Sequence, residues 1–502
     1  NGTGWQVDQR AAERLAKTVQ ETNRPVILHL FSTHFGTGAP IEEALSKDPA
    51  NLAVSPLGTM PKDRYYSTDV YPWTFASIDT DITRYRQMAI GRFLDAVCQL
   101  PPADRRKIRA VTLLGELHHF HADFERGMGI SGPYVVSDYS KASVAGFRAF
   151  LARRFGDIGS LNKRLGEKFA SFEEVEPPDK DIRRQHFRRL TEHIDSSAHG
   201  MLPLAGWAFD HAAGQSGPVW IRIYRNGSLI ARVPARYGRQ DVLSARPAIG
   251  TADVGWRYDM DFTGLAHGQY RLDFLAEQPG GKLAKLGSRR IDIVAPGETA
   301  PATAPSAELP EAADAASIEG SIDNPQDLAT VYFNPLAPLW HEFRNAQVVS
   351  YLAHFERLLR ASCLGDVALY THQIAPFVSP GWDATKFAVD ASLRDAGSLR
   401  LGISLYGEPT YGHSFFDWLG STAHRSYGVT EFHPLKSMST IEFDAMLEQH
   451  RQQGATFVSF FIDARPKAVR EASRSNIFSF DPDNPQFGSD KLYLTVRSVL
   501  NR

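Results

Sequence analysis

The chain has 502 residues, 43% hydrophobic and 22% charged, and its 55 basic and 57 acidic side chains leave a formal charge of -2. This excludes a disordered chain and leaves room for one large globular domain plus at least one smaller one. There is no Lys/Arg run to follow a phosphate backbone and no apolar stretch near the ~18 residues of a membrane span, so neither a nucleic-acid partner nor a transmembrane segment is expected.

The first residues, "NGTGWQVDQRAAERLAK", have neither the basic start nor the apolar middle of a signal peptide, so the chain is expected to be intracellular or already processed. "DQRAAERLAKTVQETN" reads as a helix leading into a strand, "VILHLF". "RQMAIGRFLDAVCQL" reads as a second helix, leading into "AVTLLGELHHFHADF", where the apolar run Val111 to Leu114 ends in Gly115 and Glu116. A Glu just past a buried strand is ordinarily a solvated loop residue or the partner of an Arg, so its meaning rests on the rest of the chain.

From about 199 to 296 helical periodicity gives way to short alternating runs, "VWIRIYRNGSLIARVPA", "GWRYDMDFTG", "GQYRLDFLAE" and "SRRIDIVAP", with "RNGS" as a hairpin turn. They predict a β-sandwich over 198–297, followed by a linker over 298–324 whose Pro, Ala and acid content gives little to pack. Regular spacing then returns. Strand-like runs begin near Val367, Leu399, Gly428 and Thr456, which are 32, 29 and 28 residues apart. A β/α unit of an eight-fold barrel needs roughly 31. "VVSYLAHFERLLRAS" and "TIEFDAMLEQHRQQG" supply helices between strands, the latter with Gly454 at its end.

The predicted fold is therefore α/β, a (β/α)8 TIM barrel in two parts, 1–197 and 325–502, with the sandwich inserted between barrel strands four and five. Six strands are legible, taken as strands three to eight. The first two are expected either before residue 1 or unrecognised within the chain. The two cysteines, Cys98 and Cys363, lie in helical patterns without metal-ligand spacing. They call for neither a disulfide framework nor a zinc site and leave one bridge between them open.

Barrel chemistry sits at the C-terminal ends of strands. There the sequence puts His34, then Glu116 and His118, His372 and Gln373, Tyr406 and Glu408, Glu431 and His433, and Asp463 and Arg465. Two carboxylates across a sugar-sized gap can act as proton donor and as nucleophile or base. Trp382, Trp73 and Trp418 are aromatic surfaces that could stack on sugar rings, although packing is the commoner use of a Trp.

The block "VTLLGELHHFH...SGPYVVSDYSKASVAGFRAFLARRFGDIGSLNKRLG" resembles the strand-four segment of glycoside hydrolase family 42, β-galactosidase-like retaining enzymes of clan A. "GVTEFHP" resembles that family's nucleophile strand, and "PLWHEFRNAQVVSYLAHFERLLR" its helix before strand five. The likeness covers roughly 5–195 and 325–500. It implies a β-glycosidase with Glu116 as acid/base, Glu431 as nucleophile, a carbohydrate substrate and no cofactor. His34, His118, His372, Trp382, Tyr406 and His433 are assigned as substrate-binding.

Two departures mark a divergent relative: Gly115 replaces the Asn that normally precedes the acid/base, and "SGPYVVSDYSKAS" lacks the family's zinc-binding cysteines. His118, His119 and His121 have no carboxylate or Cys partners at ligand spacing, so no metal is expected. The predicted sandwich faintly resembles domains of bacterial proteins that build surface polysaccharides, which implies a polymer substrate and a periplasmic or extracellular location. The alternative reading is a glycan-binding barrel that has lost catalysis. The sequence carries no signature of oligomeric state.

Overall fold

The structure is a computed structural model and describes residues 4–31, 40–65, 68–214, 217–278, 281–295, 297–299, 307–314, 316–461, 480–485 and 488–501. It is a mixed α/β chain. Six of its strands form two three-stranded parallel sheets: β1 (Val26–Phe31), β2 (Ile108–Leu114) and β3 (Ala368–Tyr370) in one, and β4 (Leu401–Tyr406), β5 (Tyr427–His433) and β6 (Ala455–Phe460) in the other. Parallel bridges Tyr370↔Arg400 and Gln373↔Ile403 link the two between β3 and β4.

That junction is tight. The Thr371 hydroxyl accepts from the Gly402 amide at 2.9 Å and donates to its carbonyl at 3.0 Å, and a Cβ on Gly402 would lie 2.0 Å from the Thr371 carbonyl oxygen. Only glycine lets the backbones approach so closely. The strands read as apolar runs because helices cover them: β2 exposes only Arg109, and β4 is buried as far as Leu405.

The covering helices include α1 (Gln9–Glu21), α2 (Asp81–Cys98), α3 (Lys141–Phe155), α4 (Ala337–Arg360), α5 (Thr440–Gln452) and α6 (Ser489–Leu500). Asp8 caps α1 by accepting from the Ala11 amide at 3.1 Å, and Ser439 with Glu442 forms a capping box on α5. Val348, Tyr351 and Phe355 of α4 pack in one core with Val111 and Leu113 of β2, while Phe443 and Met446 of α5 pack with Leu401 and Val429. Cys98 at the end of α2 and Cys363 just past α4 form a disulfide, with Cα atoms 5.6 Å apart. The bridge left open by the sequence is made.

The short alternating runs form two sheets, antiparallel except where Leu328–Val331 runs parallel to Leu283–Ile293. The four-stranded sheet orders Tyr237–Gly238, Asp253–Asp261, Met201–Asp210 and Ile318–Asn324; the five-stranded one orders Leu328–Val331, Leu283–Ile293, Gly268–Glu277, Val219–Arg225 and Ser228–Ala235. Leu204, Trp256 and Met260 of the first share a core with Ile221, Phe274 and Ile291 of the second. Asn226 and Gly227, with φ of 46° and 77°, make the turn read from "RNGS". Residues 318–324 correct the linker assignment, since they pair with strand 201–210, and 328–331 pairs with strand 283–293 rather than starting the return to the barrel. The Pro- and Ala-rich run before them hid the short alternation of "IEGSIDN".

Beside β1 lies a groove of about 860 Å³, lined by Leu15 and Val19 of α1, Val26, Leu28 and His29 of β1, and Ile90 of α2. Among the described residues no strand pairs with this outer edge of β1. His29 Nε2 nonetheless reaches Ser459 Oγ on β6 at 3.0 Å, so the first and last parallel strands meet through side chains. No described helix is long and apolar enough to cross a membrane.

Candidate active site

Glu116 owes its position to an abrupt end of β2. Leu114 and Gly115 take φ of 66° and 75°, two successive left-handed residues that turn the chain sharply. Glycine adopts this at no steric cost, whereas Leu114 holds it at a cost of about 1 kcal/mol. The Glu116 carboxyl bonds to the Ser404 hydroxyl of β4, and Ser404 is the register partner of Glu431 on β5. Ser404 thus bonds to Glu116 and neighbours Glu431 in the strand register.

Their surroundings push them apart. Burial, then the charge of Glu431, holds Glu116 well above the ordinary carboxylate range, only partly offset by the Ser404 hydrogen bond. Burial would raise Glu431 as well. Its hydrogen bond with His372, the His372 charge, the Tyr406 hydroxyl and the more distant His29 outweigh burial and leave it below its ordinary value. His372 Nε2 lies 3.2 Å from Glu431 Oε1, and Tyr406 donates to Oε2. At neutral pH the pair therefore holds one protonated carboxyl and one carboxylate, the arrangement that general acid and nucleophile require.

Glu431, Tyr406 and His372 come together with Glu116. His118 does not join them: it is 3% exposed, accepts or donates through Nδ1 to the His119 carbonyl at 2.9 Å, and stacks on Phe124 with ring centroids 5.3 Å apart. Packed also against Phe120 and Phe387, it offers no face to a sugar, and burial pushes it down to about 4. His433 is likewise buried, its Nδ1 accepting the Leu435 amide at 3.0 Å to shape the turn after β5. His119 bonds the Arg344 carbonyl and His121 packs on Phe124, so these histidines serve the core around the loop after β2.

Trp382 is half-buried and stacks on Phe387 at 5.7 Å, while its carbonyl accepts from Arg257 of the four-stranded sheet. Trp418 stacks on Phe377 at 4.3 Å and Trp73 on Tyr71 at 5.2 Å, so both are packing residues. Gln373 donates to the Leu117 carbonyl at 2.7 Å and steadies the turn that carries Glu116. The Glu408 carboxylate accepts from the His413 amide at 2.7 Å, the Ser414 amide at 3.2 Å and the Ser414 hydroxyl, at the start of helix Ser414–Gly420. His34, Asp463 and Arg465 lie outside the described residues.

Sequence reading missed Ser404, Thr112 and His29. Thr112 Oγ1 lies 3.3 Å from His372 Nδ1 and 2.9 Å from His29 Nδ1. Their signal was present as single polar residues inside apolar strands, "VTLL", "GISLY" and "VILHLF". A lone polar residue on a strand that helices cover from outside points into the enclosed interior, where it must find a partner.

The fold and site define an α/β protein with paired carboxylates at or near the C-terminal ends of parallel strands. No family model matches the chain, and no curated protein matches it. Among solved structures it is similar to a β-galactosidase of the Antarctic haloarchaeon Halorubrum lacusprofundi, with 12% identity, 92% of this chain and 46% of that one covered, and a TM-score of 0.45. It is also similar to the catalytic domain of a β-amylase from Paenibacillus polymyxa (10% identity, 97% and 86% covered, TM-score 0.46) and to a β-galactosidase from the psychrophilic Marinomonas ef1 (18%, 39% and 25%, 0.26). The chain spans about half the length of the first of these. At such scores the likeness carries no weight for function, which rests on the site.

Proposed function

We propose that the protein is a retaining β-glycosidase of the clan A type, with Glu116 as acid/base and Glu431 as nucleophile. The barrel is of the (β/α)8 kind, with β2 and β3 as its fourth and fifth strands, and the sheets between them are an inserted β-sandwich. The observation that carries the reading is the carboxyl pair: Glu116 is buried and bonded to Ser404, Glu431 is held by His372 and Tyr406 on the strand next to Ser404, and these surroundings push the first up and pull the second down. Protonated Glu116 gives its proton to the leaving oxygen as Glu431 attacks the anomeric carbon. Glu116, now ionised, then takes a proton from the water that releases the sugar.

The substrate is a bacterial polysaccharide or an oligosaccharide from one. The disulfide supports a periplasmic or extracellular location, because such bridges persist in oxidising compartments. The test is hydrolysis of a panel of aryl β-glycosides and bacterial exopolysaccharides by the wild type, Glu431→Gln and Glu116→Gln, with product anomers followed by NMR. Hydrolysis with retained configuration that disappears in Glu431→Gln is expected. Glycan binding without turnover, unchanged in both variants, would instead make the protein a carbohydrate-binding barrel.

A further inference from the structure

The strand Asp253–Asp261 of the four-stranded sheet alternates. Trp256 and Met260 point into the core between the two sheets, which turns Asp253, Gly255, Arg257 and Asp259 to the other side. That row lies against the segments that follow β3 and β4. A Cβ on Gly255 would fall 2.9 Å from Pro380 Cγ, so glycine lets the strand meet the segment after β3. Arg257 donates from Nη1 to the Trp382 carbonyl and, at 3.5 Å, to that of Pro380, while its Nε and Nη2 each lie 2.9 Å from Asp259 Oδ1. Asp253 faces Glu408 after β4, and a Cβ on Gly238 in the neighbouring strand would lie 3.4 Å from Glu408 Cβ. Arg236 pairs with Asp417 in the same segment.

The segment after β3 is in turn bound to the one that carries Glu116. Trp382 forms an antiparallel bridge with Gly129. The Ile130 amide donates to the Gly381 carbonyl at 3.0 Å, the Asp383 amide to that of Met128 at 2.8 Å, and Lys386 Nζ to that of Gly129 at 2.7 Å. The Trp382 ring lies on Phe387 with centroids 5.7 Å apart, and Phe387 meets the ring of His118, two residues past Glu116, at 5.3 Å. Phe387 takes one face of the indole, and the side chain stays half-buried rather than closed off. An indole so placed, two ring contacts out from the acid/base segment, offers its apolar body to the apolar face of a pyranose. Its backbone is held from the four-stranded sheet by a guanidinium, and a charged donor makes the stronger kind of hydrogen bond.

We propose that the four-stranded sheet is one wall of the substrate cleft, with Arg257 as the positioning residue that holds Trp382 as a stacking platform for glycan units beyond the cleaved bond. This rests on the carbohydrate reading of the Glu116 and Glu431 site. Asp259 fixes the plane of the guanidinium, Arg257 fixes the Trp382 backbone, and Trp382 is tied to the segment that delivers Glu116. A single sugar on a leaving group needs none of this wall, whereas a polymer runs across it. The ligand is therefore a chain of several sugar units. The wall adds affinity for that chain, and the two carboxyl groups set the rate at which its bond is cleaved.

The test pairs kinetics with a readout that needs no turnover. The kinetics use the aryl β-glycoside and the exopolysaccharide that the wild type cleaves. Arg257→Ala should raise KM for the polymer about tenfold and leave both kcat values, and KM for the aryl glycoside, within about twofold of wild type. Trp382→Ala should raise polymer KM at least as much. Arg257→Lys should recover part of the loss, because an ammonium still donates to the carbonyl but lacks the fixed fork that Asp259 holds. The second readout is the ¹⁹F signal of Trp382 in 5-fluorotryptophan-labelled Glu431→Gln, identified by Trp382→Phe, as each exopolysaccharide of the panel is added. It should shift to saturation with a bound polymer, and with Arg257→Ala also present it should need about tenfold more polymer to do so. An unchanged polymer KM in Arg257→Ala, or a Trp382 signal that no glycan moves, overturns the proposal. An equal rise in KM for polymer and aryl glycoside also overturns it, since Arg257 would then support the site as a whole. A wild type that cleaves nothing, with the Trp382 signal moved by a polymer and the response weakened in Arg257→Ala, leaves the wall standing and removes the glycosidase reading.

Discussion

The two β regions of this chain solve burial in opposite ways. Between the antiparallel sheets lie Leu204, Trp256, Met260, Ile221, Phe274 and Ile291, a core held by apolar area alone. The parallel strands enclose Thr112, His372, Ser404 and Thr430, none more than 5% exposed, around a carboxylate pair. Their apolar packing is on the other side, against helices. Each polar group inside costs stability unless it is paired, and these four are paired. The difference marks the parallel region as the one whose interior holds ionisable groups.

Substitutions that remove function from one region without unfolding it, and the reverse from the other, test that separation. Glu431→Gln should lower kcat by about 10⁴-fold or more with thermal unfolding little changed, because the amide keeps the volume and loses the nucleophile. A residual rate within tenfold of wild type would sink the assignment. In the apolar region, Phe274→Ala should cost about 4–5 kcal/mol of stability in denaturant unfolding. Its kcat, assayed well below the transition, should match wild type. A fall in kcat there would show that the two regions are coupled.

The same contrast governed what could be read beforehand. Parallel strands covered by helices are largely apolar runs, so "VTLL", "LGISLY" and "TFVSFF" stood out, and their spacing singled out Glu116 and Glu431. His118 and His433 were assigned to substrate because polarity next to a carboxylate looks the same whether the ring faces sugar or Phe124. Strand 318–324 was lost because composition outweighed seven residues of weak alternation. The Cys98–Cys363 bridge spans 265 residues, and nothing local at either end reports such a contact.

That bridge ties two covering helices of the parallel region, whereas the antiparallel sheets have no covalent tie. By closing so long a loop it should contribute about 4 kcal/mol, chiefly by restricting the unfolded chain. The Cys98→Ser/Cys363→Ser double variant is expected to shift the denaturant midpoint accordingly. Hydrogen exchange should rise in β2 and α4 and stay the same in strands 253–261 and 268–277. Equal loosening of both regions would mean that they unfold as one unit.

The smallest expected effect lies where the regions touch. Glu408, at the end of β4, faces Asp253 of the four-stranded sheet, and Arg236 of that region pairs with Asp417 in the helix Glu408 caps. Burial first, then the Asp253 charge, push Glu408 up to about 7, against the pull of its Ser414 and His413 hydrogen bonds. The sign follows from linkage. Between the unfolded value near 4.5 and the folded value near 7, the folded state keeps a proton that the unfolded state has released. Stability from this group is complete below pH ~4.5, falls as pH rises through 7, and by then has lost about 3 kcal/mol. Glu116 adds a slope of the same sign, so the quantity to measure is the difference between wild type and Glu408→Gln in urea midpoints from pH 4 to 8. The wild type should lose stability more steeply than the variant. Asp253→Asn should recover a minor part of the loss, since it removes only the charge across the contact and leaves the burial. Parallel pH curves for wild type and Glu408→Gln would mean that Glu408 titrates in the folded protein as it does in the unfolded chain. The contact between the two regions would then be a hydrated one.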